Sequence, residues 1–228
     1  MLQDFIKELK ESADYRDILS HYRYLPEVAA DYAPEDAGLP PPLTAALKRQ
    51  GISRLYRHQA EALAAIRAGQ NVLVATPTAS GKTLIYNLPV LESLLKDGAG
   101  HALYLFPLKA LEQDQLKALK ELDAALPSPF LRAAIYDGDT PPSQRQAIKA
   151  SPPQVLISNP DMLHLGLLPY HASWSGFFSR LKFVVIDEVH TYRGIMGSHM
   201  AQVLRRLRRL CAHYGSRPCF ILSSATIA

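Results

Sequence analysis

The chain has 228 residues, 48% hydrophobic and 20% charged, with a formal net charge of +4. That composition supports one substantial core and excludes two large ones, which predicts a single main domain with a small appendage. Two cysteines without CxxC spacing exclude a disulfide framework or a cysteine-based zinc site. The N-terminal residues mix acids and bases with spaced apolar positions and lack the unbroken apolar run of a signal peptide or membrane span, so the expectation is a cytoplasmic protein with no membrane partner.

In chain order, Phe5, Ile6 and Leu9, then Tyr15, Ile18 and Leu19, recur at three- and four-residue spacing and predict a short helical N-terminal arm. Residues 33–42 hold four prolines, which cannot donate a backbone hydrogen bond, and read as a linker. The expected division is therefore an arm with its linker at 1–42 and a main domain at 43–228. Aliphatic runs at 71–76, 102–106, 131–136, 154–158, 183–187 and 219–224 alternate with helical patterns that begin near Arg57, Lys82, Leu108, Ser143, Asp161 and Ser198. The strand runs are apolar on successive positions, as strands covered on both faces are. The predicted fold class is α/β, a mainly parallel central sheet flanked by helices, with ligands beyond the carboxyl ends of the strands.

Between the first strand and the helix at Lys82 lies Thr76-Pro77-Thr78-Ala79-Ser80-Gly81-Lys82-Thr83. Strand, loop and helix in this order form a phosphate cradle: backbone N–H groups wrap the phosphates, the lysine ammonium reaches the outer ones, and the threonine hydroxyl ligates Mg²⁺. Thr76 stands where the generic pattern has its first glycine, and an ordinary glycine turn with a surface lysine is the plain alternative. A second signal is the run FVVIDEVH, which puts Asp187 and Glu188 at the end of a buried strand, Asp187 to hold the metal and Glu188 to take a proton from an attacking water. Pro107 and Lys109 follow one strand and open a helix. Asn159, Pro160 and Asp161 repeat the arrangement after another, with Asp139 and Thr140 a weaker third instance. These loops suit phosphate contacts without sequence preference, and helix capping is the alternative at Asp139, Thr140 and Asn159. Arg205, Arg206, Arg208 and Arg209 lie between helically spaced Val203, Leu204, Leu207 and Leu210 and read as a solvated helix face.

Taken together, Gln59 in LYRHQAEAL, then TPTASGKT, FPLKAL, SNPDML, DEVH and SSAT, resemble the ordered motifs of superfamily 2 helicases. The wording YNLPVLE, YDGDTP and TYRGIMGSHMAQVLRRLRRL is similar to the MrfA (YprA-like) branch of DNA-repair helicases. The resemblance implies a RecA-like P-loop NTPase lobe that binds ATP and Mg²⁺. It implies that Gln59 reads the adenine edge, that Thr78, Ala79, Ser80, Gly81, Lys82 and Thr83 cradle the phosphates, and that Thr83 and Asp187 hold the metal. It further implies Glu188 as general base, His190, Ser224, Ala225 and Thr226 as the coupling element, and Arg193 as a functional arginine on the nucleic-acid side. The partners so implied are single-stranded or partly duplex DNA, moved over 3′ to 5′, and a second RecA-like lobe that supplies an arginine. An RNA helicase lobe or a non-catalytic nucleotide- or DNA-binding module are the alternatives. Because the chain stops just beyond a core strand, it reads as a fragment that turns over little ATP alone, such arginines contributing on the order of 10³ to 10⁵ in rate.

Overall fold

A computed structural model describes the chain except residues 1, 13, 16, 17, 19, 20, 22, 24, 25, 27, 28, 35, 36, 78, 79 and 226–228. It holds two compact units, Met1–Asp31 and Tyr32–Ala228. In the first, α1 (Leu2–Glu11) carries Phe5, Ile6 and Leu9 as expected. Of the second expected helix, Tyr15 and Ile18 lie in turns and Leu19 falls outside the described residues. Among the described residues no helix is long and apolar enough to cross a membrane.

The second unit is built on a six-stranded, wholly parallel sheet in the order β1-β6-β5-β2-β4-β3. Its strands are β1 (Val72–Ala75), β2 (His101–Leu105), β3 (Ala133–Ile135), β4 (Val155–Ser158), β5 (Leu181–Ile186) and β6 (Cys219–Ser224). The principal helices are α2 (Pro41–Arg49), α3 (Arg57–Arg67), α4 (Lys82–Asp97), α5 (Lys109–Ala124) and α6 (Pro142–Ala150). After β4 come a short α7 (Pro160–Met162) and α8 (Ser175–Ser179), and β5 leads into α9 (Gly194–His213). Where one helix is predicted from Asp161, the chain forms α7, a π-helical turn at Leu163–Leu167 and a 3-10 turn at His171–Trp174. This broken path buries Leu163, Leu167, Leu168 and Trp174 completely, or nearly so, and packing overrides helical regularity there.

Side chains alternate between two faces along each strand, and both faces are covered. Leu103, Leu105, Leu156, Val184 and Ile186 join the core beneath α9. Their neighbours Ala102, Tyr104, Val155, Ile157 and Val185 join the core beneath α3 and α4. A third cluster ties Leu43 and Leu47 of α2 to Leu63, Leu88, Leu91 and Leu122.

Of the expected linker, residues 33, 34 and 37–42 are described and belong with the second unit, so the main domain takes in residues before Leu43. Ala33 is buried and donates its N–H to Leu55 O at 2.9 Å. The Arg67 guanidinium holds the carbonyls of Ala37 at 2.6 Å and Gly38 at 3.0 Å. Pro41 and Pro42 open α2, where a missing N–H costs nothing because the first helical turn has no acceptor for it.

Leu156 of β4, between β2 and β3, is fully buried. Leu156→Ala should lower stability by about 2 to 5 kcal/mol, measured as a reduced denaturation midpoint at unchanged slope.

Candidate nucleotide site and nucleic-acid rim

Because every strand is parallel, the loops that follow them share one rim of the sheet. The strand order divides that rim. The loops after β1, β6 and β5 carry residues 76–83, Ser224 with Ala225, and Asp187 with Glu188. The loops after β2, β4 and β3 carry Pro107 with Lys109, Asn159 to Asp161, and Asp139 with Thr140.

In the first half, Gly81 sits at φ +75° at the mouth of α4, and a Cβ there would meet Gln59 Nε2 at 2.5 Å. Only glycine fits both the conformation and the approach. Gln59 is almost fully buried. Its Oε1 accepts from Tyr56 N–H at 2.9 Å, and its Nε2 donates to Gly81 O at 2.9 Å, so it caps α3 and braces the loop with one carboxamide. Ser80 is pinned by Thr76 Oγ1 at 2.6 Å through its hydroxyl and contacts His58 Nε2 at 3.1 Å through its carbonyl. The Lys82 ammonium donates to Thr76 O at 2.8 Å and Pro77 O at 2.9 Å, which aims it inside the loop it closes. Thr78 and Ala79 lie outside the described residues, as does Thr226.

The acidic loop meets the cradle through a residue that the sequence reading missed. Tyr86, one turn into α4 and buried, feels the Thr83 hydroxyl three residues earlier on the same helix and donates toward Asp187 Oδ2 at 3.1 Å. Thr83, at the mouth of α4, and Asp187, at the end of β5, thus both act on the same phenol. Burial, then the adjacent Asp187 charge, holds the Tyr86 phenol well above its usual range, so it stays a donor. The other Asp187 oxygen accepts from Glu188 N–H at 2.8 Å and from the Ser223 hydroxyl. Ser223 was also missed, because the motif drew attention to Ser224, its neighbour on the opposite face of β6. Ser224 Oγ lies 3.4 Å from His190 Nδ1, and that nitrogen lies 3.2 Å from Glu188 Oε2.

Glu188 itself has φ +51°, the sole positive φ at a non-glycine among the described residues. Such a conformation costs on the order of 1–3 kcal/mol and persists where the surroundings enforce it, most often at functional sites. Here the enforcing contacts are the Asp187 carboxylate on its N–H and Thr191 on its carbonyl, whose hydroxyl donates at 2.8 Å.

In the second half of the rim, Lys109 at the start of α5 pairs with Asp139. Asn159 accepts from Met162 N–H at 2.9 Å, capping α7, and donates to Glu112 Oε1 of α5 at 3.1 Å. Pro107 and Pro160 are half-buried and Asp161 exposed. Thr140 is buried and makes turn bonds of the kind that the capping alternative describes. Its hydroxyl donates to Asp137 Oδ1 at 2.9 Å and accepts from Asp137 N–H at 2.9 Å, locking the turn that presents Asp139. Arg193, exposed, donates to His190 O at 3.0 Å next to the acidic loop.

The two halves are joined inside the protein. Tyr86 also faces Gln115 Oε1 of α5 at 3.1 Å, Gln115 Nε2 donates to Asn87 Oδ1 at 3.0 Å, and the Tyr104 hydroxyl donates to the same oxygen at 3.0 Å. A phenol has one proton, and here two acceptors compete for it, Asp187 in the nucleotide half and Gln115 on the helix that leads the other half.

With this geometry in view, the chain was compared with known proteins. The profile of the DEAD/DEAH box helicase family matches residues 56–228. The uncharacterized ATP-dependent helicase YprA of Bacillus subtilis is 50% identical over 186 residues, covering 82% of this chain and 25% of that protein. The ATP-dependent helicase HRQ1 of Saccharomyces cerevisiae is 39% identical over 231 residues, covering 99% and 21%. A crystal structure of the DUF1998 helicase MrfA bound to DNA and AMPPNP superposes with a TM-score of 0.84 at 48% identity, covering 87% of this chain and 28% of that one. The chain spans about a quarter of the length of the relatives it matches.

Burial pushes the Glu112 carboxyl above its usual range, and the Asn159 bond only partly offsets it. A folded-state pKa above the unfolded value means that ionised Glu112 opposes folding once pH rises past the ordinary carboxylate range, and that this cost is absent below it. Glu112→Gln, which keeps the acceptor for Asn159, should therefore raise the melting temperature at pH 7 and give a gain that fades as pH falls toward 4. A pH-independent change would contradict the burial effect.

Proposed function

The chain belongs to the DEAD/DEAH box helicases, and from that membership we propose that it is the ATP-binding motor lobe of an ATP-dependent DNA helicase of the MrfA (YprA-like) branch. The observation that carries the reading is the bond from the Tyr86 hydroxyl, one turn past the cradle on α4, to Asp187 of the acidic loop, which ties the two loops together.

On this reading Lys82, already inside the loop, trades its carbonyl partners for the outer phosphates of ATP. Thr83 and Asp187 are hard oxygen donors of the kind Mg²⁺ accepts, one hydroxyl and one carboxylate beside the substrate's own phosphates. Bound there, the ion would neutralise charge on the β- and γ-phosphates. Glu188 takes the proton of the attacking water, with Oε2 close to His190 and free of any hydrogen bond among the described residues. Gln59 presents its second amide proton to the adenine edge while keeping α3 capped. His190 and Ser224, with Ala225 and Thr226 beyond, pass the state of Glu188 along β6. A metal on Asp187 would favour the Tyr86 O–H pointing at Gln115 Oε1, with the proton staying on the phenol, and α5 would carry that preference toward Lys109 and, through Glu112, Asn159.

DNA as the track is supported by the DNA complex of MrfA at 48% identity. Movement 3′ to 5′, a DNA-repair setting and a second RecA-like lobe that supplies an arginine complete the proposal and follow the branch.

The decisive variants belong in the full-length protein. Glu188→Gln should lower DNA-stimulated ATP hydrolysis by about 10² to 10⁴ while nucleotide binding persists; equal rates would remove the base assignment. Tyr86→Phe keeps the ring and deletes the contested proton. It should weaken Mg²⁺-dependent ATP binding and reduce the stimulation by DNA more than the basal rate, and an unchanged stimulation ratio would contradict the proton's role in coupling.

A further inference from the structure

The opposite rim of the sheet, where β5 and β6 begin, bears a basic concavity that the helicase motifs do not touch. Arg205, Arg208 and Arg209 of α9 and Arg217 before β6 surround a cavity of about 800 Å³, with Asn71 and Phe220 on its far wall. Val203 and Leu207 of α9 are buried, so the helix is amphipathic as its sequence predicts, and Arg205, Arg208 and Arg209 lie on its exposed face, where they also line the hollow. Residues 189–228 contain six arginines and no aspartate or glutamate. Some cations elsewhere have acids, as Lys109 has Asp139 and Arg67 shares Glu92 with Lys96, and others such as Arg54 and Arg145 hold backbone carbonyls. Among the described residues none of Arg205, Arg208, Arg209 and Arg217 has an ion pair, and the polar bond shown for this group is Arg205 to Gln202 Oε1 at 3.3 Å.

Arg205 with Arg208 and Arg209 stands at i, i+3 and i+4, the spacing at which like charges on one helix face oppose folding. A helix evolved only to be wetted would interleave acids there. Four guanidinium groups turned into one hollow are instead relieved by an anion, and guanidinium forks pair phosphate oxygens two at a time.

The hollow does not end at Arg217. Asn71, Ser216, Arg217 and Pro218 also line a second cavity of about 650 Å³, which continues past Arg180 and Lys182 at the start of β5. A basic path that runs from α9 beneath β6 to β5 is longer than one phosphate or one nucleotide needs. Its apolar floor, including Phe220, Pro218 and Phe183, suits sugars and bases between charges. The six residues of β5 place it about 20 Å from Asp187.

We propose that this rim is a second nucleic-acid track, binding the phosphodiester backbone of a DNA segment other than the one at Lys109 and Asn159. The track extends the helicase reading and takes its ligand class from it.

The test uses the full-length protein with R205Q/R208Q/R209Q and, separately, R217E; glutamine preserves helix propensity, and matched circular dichroism confirms the fold. Binding of oligo(dT) is followed by fluorescence anisotropy across a salt series, with one oligonucleotide of about 10 nucleotides, enough for one rim, and one several times longer. For the long strand, the slope of log K against log salt should become shallower by about 2 in the triple variant, three lost contacts at about 0.7 each. R217E should weaken the same binding. The short strand should bind, and stimulate ATP hydrolysis, as it does with the parent protein. An unchanged slope and affinity for the long strand would overturn the proposal, as would an equal loss for both lengths. Binding of poly-glutamate that the triple variant loses, with DNA binding intact, would assign the rim to an acidic protein and overturn it too. A parent protein whose ATP hydrolysis no short strand stimulates would instead remove the helicase reading, and the track with it.

Discussion

One phenolic hydroxyl occupies the position on which the site depends. Tyr86 lies inside α4, a single turn beyond the cradle lysine, and reaches Thr83 on its own helix, Asp187 at the end of β5 and Gln115 on α5. An unpaired hydroxyl at that depth would cost about 1–3 kcal/mol, so the group enforces closeness among the three elements as much as it benefits from it. Because it carries one proton for two acceptors, its preference responds to whatever charge Asp187 faces.

The parallel sheet supplies the rest of the arrangement. Six strands that run the same way deliver six loops to one edge, and the order β1-β6-β5-β2-β4-β3 sorts them into one half with the 76–83 and acidic loops and another with Lys109 and Asn159. Helices α4 and α5 both descend from that edge, one from each half, and their buried polar side chains meet behind it. Glu112 extends the contact to Asn159, which ties the loop after β4 to α5. Coupling of two binding sites needs an element that each can bias, and α5 is placed to be that element. At the other edge the same strands begin among arginines that no acid of the described structure pairs. The sheet therefore has two chemically distinct rims, one mixed in charge and built of motifs, the other rich in arginine.

Much of this was legible in the residues. Runs such as Val184, Val185 and Ile186 are apolar on successive positions because both faces of the sheet are covered, and each of the six strands appears within two residues of its expected place. Gly81 with Lys82, and Asp187 with Glu188, are local signals, since the chemistry they need is carried by neighbours in sequence. What was not legible depends on distant segments meeting. Nothing near Tyr86 or Ser223 announces a carboxylate more than thirty residues away. At Thr140 the sequence leaves contact and cap open until Asp137 folds beneath it. The prolines of residues 33–42 suggested a linker, and only the Arg67 guanidinium and the start of α2 show why they are ordered. The arginines of α9 read as a solvated face, and only the fold adds Arg217 to the same hollow from another loop.

The most direct test is an experimental structure of the full-length protein with Mg²⁺ and a non-hydrolysable ATP analogue. The account predicts the γ-phosphate on Lys82, the metal bound by the Thr83 hydroxyl with Asp187 facing it, and Glu188 turned toward the water in line with the terminal phosphate. A nucleotide seated elsewhere, or a metal that leaves Thr83 and Asp187 on separate sides of it with Tyr86 in contact with neither, would contradict it.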